Sequence, residues 1–244
     1  MDLHAPSISD HGIHLRRHAI AVGGLTLLLV AAFASDPWAV DHLRLGSDAP
    51  ARAIANAISR WMDWPWVLGV TALGALVAHF RRAAVPRKGL LSLLIAGALI
   101  GGSATLIRST TGRTRPSAPV SQGWFGPRAN GEWLIGRRDY NAFPSGHTAT
   151  VAGLAALLIL RRHRFAPLLV GATLLVGWAR IAVGAHRPSD VVASLLLAGI
   201  LIRPLARRLP NSEPNRTLAP HPQTPPTHTQ ADAPRPAGEM VWSA

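Results

Sequence analysis

Three short polar clusters hold most of the residues in this chain that could do chemistry. They are Arg108-x6-Arg115-Pro116, Pro144-Ser145-Gly146-His147 and Arg180-x5-His186-x3-Asp190. Arginine forks match the oxygens of a phosphate bidentately. A glycine lets a ligand approach the backbone, and the amides that open a helix favour an anion. A histidine whose ring is oriented by a carboxylate can attack phosphorus, and a second histidine can protonate what leaves. His186 and Asp190 are four residues apart, with Pro188 between them. Proline suits the first turn of a helix, so a helix is predicted to start here with Asp190 in its first turn, facing back to His186. Ser145 would add a hydroxyl donor, and His147 would sit beside a bound phosphate.

Each cluster has a plainer reading on its own. Asp190 could only complement a helix dipole, Ser145 could be an ordinary N-cap, and Arg108, Arg113 and Arg115 could anchor a helix end. It is the three together, each at the end of an apolar run, that point to phosphoryl chemistry.

The elements that must position them are membrane helices. Of 244 residues, 48% are hydrophobic and only 15% charged, whereas a soluble domain is about a quarter charged. The apolar residues fall in six blocks, near 18–34, 64–80, 89–107, 147–160, 165–179 and 189–202, the last extending past Arg203 with a snorkelling side chain. The predicted fold is an all-α polytopic membrane bundle of about six transmembrane helices, although the last three blocks are short for a span. Three parts are expected: a cytoplasmic segment 1–17, a membrane domain 18–209, and a disordered Pro-rich cytoplasmic tail 210–244. Residues 51–62 read as an amphipathic segment with Ile54, Ile58 and Trp61 on one face, lying in the interface with Trp64 and Trp66 as anchors.

Charge gives orientation. Arg16–Arg17, the run Arg81, Arg82, Arg87 and Lys88, the trio Arg161, Arg162 and Arg164, and Arg207–Arg208 alternate along the blocks. They place those segments in the cytoplasm and all three clusters on the outer side. The outer loop 108–146 breaks the charge rule, with Arg108, Arg113, Arg115, Arg128, Arg137 and Arg138 against Glu132 and Asp139. Cations kept there against the trend imply an anion to bind. The net charge of +13 belongs to membrane orientation rather than to nucleic acid, which is not an expected partner. Arg16–Arg17 followed by an apolar stretch and Ala32-Phe33-Ala34 also fits a cleavable signal peptide; a retained first helix is the favoured reading. The chain has no cysteine, which excludes disulfides, thiolate metal sites and cysteine nucleophiles.

The three motifs resemble those of the type 2 phosphatidic acid phosphatase superfamily, which includes bacterial acid phosphatases and vanadium haloperoxidases. Its pattern is Lys-x6-Arg-Pro, Pro-Ser-Gly-His and Ser-Arg-x5-His-x3-Asp. Here the second motif is complete, and Phe143, Thr148 and Ala149 around it also look familial. Arg108 stands where the family usually has Lys, and Ala179 where it usually has Ser. The resemblance implies that His186 is the nucleophile, forming a phosphohistidine, that Asp190 orients it, and that His147 protonates the leaving group and then activates water. Arg108, Arg115, Arg180, Ser145 and the Gly146 amide would hold the phosphoryl oxygens. No metal and no cofactor is expected. The implied activity is that of a metal-independent phosphatase of membrane lipids in the bacterial inner membrane, its site facing the periplasm or exterior. Undecaprenyl pyrophosphate is the favoured substrate, with phosphatidylglycerophosphate, phosphatidic acid and a lipid A phosphate also open. A lipid phosphotransferase and a non-catalytic lipid-binding protein are the alternatives.

Overall fold

In the computed structural model, residues 8–210 are described, with side chains from residue 20 onward. They form seven α-helices: α1 (Ile8–His42), α2 (Pro50–Trp61), α3 (Trp64–Phe80), α4 (Ala84–Thr111), α5 (Gly146–Leu160), α6 (Ala166–Ala182) and α7 (Pro188–Ala206). The expected tail 210–244 lies outside the described residues but for Pro210.

The six apolar blocks are the helices α1 and α3–α7. By length and composition three of these can cross a membrane alone, within Ile20–His42, Ala84–Thr111 and Pro188–Ala206. A fourth span arises if α2 and α3, bent by 51° at their junction, count as one, and α5 and α6 are shorter. The architecture is an all-α membrane bundle. Large apolar side chains such as Leu27, Val70, Leu106, Leu168 and Ile200 point outward, as lipid-facing surfaces require.

α1 departs from expectation at both ends. It starts at Ile8, inside the segment read as preceding it, and continues through Pro37 to His42, so Asp36 belongs to a helix and not to a loop. α2 fits the amphipathic reading of 51–62. Its Ala55 is buried against Ala179 and Ala182 of α6, while Ile54 and Trp61 are exposed, as are Trp64 and Trp66 beyond it.

The core sits where α4, α5 and α7 meet, around Ala96, Ile100, Ala104, Ala149, Ala152, Leu157, Ala198 and Ile202. Small residues let the backbones close, which is how membrane helices associate when lipid offers no hydrophobic drive. A Cβ at Gly101 would fall 2.2 Å from Thr150 Oγ1, and one at Gly97 would fall 2.4 Å from Leu154 Cδ1. This packing fixes the end of α4 against the start of α5. At α4's C-terminus Gly112 takes φ +58, and a Cβ there would strike the Gly126 carbonyl at 2.0 Å. Only glycine serves at that turn.

Candidate active site

The motif segments are tied to one another through their backbones. Ala142 N–H donates to Arg113 O (3.0 Å), Ser145 N–H to Asp190 O (3.1 Å), and Ser117 N–H to Gly184 O (3.0 Å). The first cluster is thus pinned to the second, the second to the third, and the third to the first. Helix ends carry the side chains: Arg108 ends α4, Gly146 and His147 open α5, Arg180 lies in the last turn of α6, and Asp190 lies in the first turn of α7.

A cavity of about 520 Å3 opens at this end of the bundle. Arg108, Arg115, Asn141, Gly146 and His147 line its polar part, with Asp63 and Trp64 beside them. Leu68, Gly97, Ala98, Gly101 and Gly102 continue its wall along α3 and α4. The Arg108 guanidinium lies so close to the Gly146 backbone that a Cβ there would sit 2.9 Å from NH1. Gly146 opens α5, so its amide is among the first-turn donors that no helix carbonyl can accept. Arg115 is positioned by Asn141, whose Oδ1 accepts from Nε (3.2 Å) and NH2 (2.9 Å). Burial, with the charges of Arg138 and Arg108, lowers Arg115 to about 10, so it is still cationic at neutral pH.

His186 is fully buried. Its Nδ1 lies 2.7 Å from the Ala142 carbonyl oxygen. A carbonyl can only accept, so Nδ1 carries the proton and Nε2 presents a lone pair. That Nε2 is buried with no partner. Burial, reinforced by the cations Arg180 and Arg115, pushes the ring's proton affinity well below the usual histidine range. Arg180 is likewise buried with Nε unpaired, while its NH1 donates to Ser59 Oγ of α2. A neutral ring and a guanidinium, each with a buried unspent nitrogen, are the groups a phosphate would engage. Among the described residues no group of three or more His, Asp or Glu is placed to hold a metal ion.

The orienting group for His186 differs from the expected one. Asp190 Oδ2 is 3.5 Å from His186 Nδ1, and the close contact belongs to the Ala142 carbonyl. Asp190 accepts from Arg187 N–H (2.8 Å) and from Arg113 NH1 (2.5 Å). Ser145 also differs from a plain N-cap. It makes no side-chain cap, and its Oγ pairs with Thr148 Oγ1 at 3.0 Å.

Arg113 does not reach the cavity wall. Its NH1 donates to Ser189 Oγ (2.6 Å) and Asp190, and its NH2 to Asp36 Oδ2 (2.6 Å). The Phe33, Trp124 and Phe143 rings surround it. It is a structural ion, paired on both sides as a buried charge must be. Arg137 is engaged by Glu132 and Arg128 lies over Trp133. The excess of loop cations therefore divides, and only part of it faces the cavity.

Four contributors were not singled out from the sequence: Asp36, Ser59, Asp63 and Asn141. Asp36 had a signal, because an acid next to an apolar run is costly in a membrane and needs a partner; ending the helix at 34 concealed it. Asp63 before Trp64-Pro65 is a legible N-cap, and its Oδ1 does accept from Trp64 N–H. Its contact with His147 is not local and left no trace in spacing.

Fold and site together define a membrane-embedded helical bundle with an arginine- and histidine-lined cavity at one end. Residues 89–213, just over half of the chain, match the family model described as the PAP2 superfamily, and the chain belongs to that superfamily. It is similar to a lipid A 1-phosphatase of Rhizobium etli, 33% identical over 96 residues that cover 39% of this chain and 40% of that protein. A lipid A 1-phosphatase of Rhizobium johnstonii is 34% identical over 92 residues, 38% of this chain and 36% of that one. The matched region thus spans about two fifths of these relatives' length. Among solved structures, the first transmembrane PAP2 type phosphatidylglycerolphosphate phosphatase from Bacillus subtilis aligns with TM-score 0.49 and 18% identity, covering 76% of this chain and 94% of that one.

Proposed function

We propose that this protein is a metal-independent phosphatase of membrane lipid phosphates that works through a phosphohistidine on His186, with its site at the outer face of the inner membrane. The observation that carries the reading is His186 itself: Nδ1 is spent on the Ala142 carbonyl and Nε2 is buried and unpartnered. In the first step Nε2 donates its lone pair to phosphorus. The ester P–O bond breaks, and the leaving oxygen takes a proton from His147. In the second step water attacks the phosphoryl group and gives a proton to His147, while the P–N bond breaks and returns its pair to Nε2. Arg108, Arg115, Arg180, Ser145 and the Gly146 amide hold the phosphoryl oxygens, and the fixed guanidinium charges meet the charge that develops on them. Asp190, 3.5 Å from His186 Nδ1, acts on the ring through its charge rather than by a close hydrogen bond.

A lipid substrate is supported by the cavity's polar end being continuous with a wall of small and apolar residues on α3 and α4. Both relatives are lipid A 1-phosphatases, which moves the preferred substrate from undecaprenyl pyrophosphate to a lipid A type sugar phosphate. The test is phosphate release by purified protein, with EDTA in excess, from lipid A 1-phosphate, undecaprenyl pyrophosphate, phosphatidylglycerophosphate and phosphatidic acid. Release is expected in EDTA, fastest from lipid A 1-phosphate. No release from any of the four would overturn the activity. Loss in EDTA with rescue by magnesium would overturn metal independence.

A further inference from the structure

His147 has a carboxylate partner that lies outside the family-matched region. Asp63 sits at the corner between α2 and α3. Its Oδ1 caps α3 at Trp64 N–H (2.8 Å) and also lies 3.0 Å from His147 Nε2. A carboxylate can only accept, so Nε2, the ring nitrogen nearest to it, is the one that carries a proton. Nδ1 of the same ring has no hydrogen-bond partner among the described residues, and the ring lines the cavity beside Arg108, Arg115 and Gly146. The charged groups facing His147 are Asp63 from the α2–α3 corner, Arg108 from α4 and Arg180 from α6; His186 lies within electrostatic reach. Asp63 is the one anion in that set. Four residues earlier, Ser59 accepts from Arg180, so one interfacial corner touches both a phosphate-side cation and the second histidine.

We propose that Asp63 is the positioning residue of His147, holding its Nε2 so that the other ring nitrogen, Nδ1, faces the cavity as the proton donor and acceptor of the reaction. The pair is built on the same logic as a carboxylate that orients a general base. In the first half-reaction the imidazolium gives its Nδ1 proton to the departing oxygen as the P–O bond breaks. In the second it recovers one from the attacking water, and Nε2–H stays on Asp63 throughout. The negative charge of Asp63 favours the charged ring, against its burial first and then against the neighbouring arginines. This inference rests on the phosphatase reading, and its test is arranged to fail separately.

The variant is Asp63→Asn. Asparagine caps a helix about as well as aspartate, so α3 keeps its start while the charge is lost. Two substrates are compared: dodecyl phosphate, whose alkoxide must be protonated to leave, and para-nitrophenyl phosphate, whose leaving group needs no proton. With dodecyl phosphate, kcat should fall by about 10²-fold, the lower range for a general acid. The alkaline limb of its pH profile should move down by about one unit, the usual effect of an adjacent opposite charge. The burst of phosphoenzyme from para-nitrophenyl phosphate should change little, and Asp63→Glu should recover part of the lost turnover. Equal losses in both measurements with an unmoved alkaline limb would mean a merely structural role, and unchanged kinetics would mean no role. If the unaltered protein is inert toward every ester, the phosphatase reading itself has failed. The pair is then read by 1H–15N NMR of the His147 ring, assigned with His147→Ala: a lower titration midpoint in Asp63→Asn supports the pairing, and an unmoved one overturns it.

Discussion

Two histidines share this site, and their different surroundings support different work in the proposed reaction. His186 is buried, its Nδ1 is fixed by a carbonyl, and its Nε2 is unspent. His147 is on the cavity wall and paired with Asp63. His186→Ala should therefore abolish both turnover and covalent phosphate. His147→Ala should still take phosphate from para-nitrophenyl phosphate and then hold it, because water is no longer activated. Acid-labile label trapped after rapid quench checks this, and label in His186→Ala that vanishes in His147→Ala would reverse the assignment. The same environment sets a pH dependence. The His186 proton affinity is depressed, by burial first and then by Arg180 and Arg115, so the folded ring stays neutral below the ordinary value of about 6.5. Phosphoenzyme formation should not fall with a midpoint there as pH is lowered. Stability should begin to fall there, because the unfolded chain binds the proton first, and the loss continues down to the folded ring's lower value.

At the scale of elements, catalytic geometry depends on how closely α4 meets α5. Arg108 is carried by the last turns of α4, and Gly146 and His147 by the first turn of α5. Two turns below Arg108, Gly101 lies against Thr150 with no room for a methyl group. Gly101→Ala should force the helices apart, costing about 1–3 kcal/mol as overpacking does. It should also cut kcat by withdrawing the guanidinium from the phosphate. The check is a thermal unfolding midpoint in detergent alongside steady-state rates. Gly102→Ala, on the same turn but with open space around its Cβ, is the control and should leave the midpoint unchanged or slightly raised, since alanine favours the helix. α1 contributes in another way. Asp36 accepts from Arg113, from Ser189 N–H (3.0 Å) and from Ser189 Oγ (2.5 Å), so this helix is tied to the first turn of α7 and to the residue that pairs with Asp190.

For the whole molecule, every catalytic candidate lies at one end of the bundle, while Arg81, Arg82, Arg87, Lys88, Arg161, Arg162, Arg164, Arg207 and Arg208 lie at or beside the opposite helix ends. That polarity supports an outward-facing site under the charge rule. Single cysteines placed at Gly126, in the site-side loop, and at His163, between α5 and α6, should differ toward an impermeant reagent on cells with a permeabilised outer membrane. Label at residue 126 alone is the expected result, and label at residue 163 alone would invert the topology.

The sequence by itself determined the helical membrane class, the candidate phosphate-binding residues and the helix ends on which they sit. Those features are local: apolar run length, a proline and an acid at a helix start, and motif spacing each act within a few turns. What only the tertiary structure decided was which charge meets which. Arg113 and Arg115 are two residues apart and of the same residue type, yet one is locked between Asp36 and Asp190 and the other lines the cavity with Asn141. Asp190 looked like the direct partner of His186, but the Ala142 carbonyl, brought in from 44 residues away, holds the ring. Asp63 sits at the 51° bend between α2 and α3 and there meets His147, 84 residues further along the chain, at the start of α5. Ion pairs and hydrogen bonds act over a few ångströms of space, whatever the distance along the chain, and sequence pattern records only the neighbours a helix itself creates.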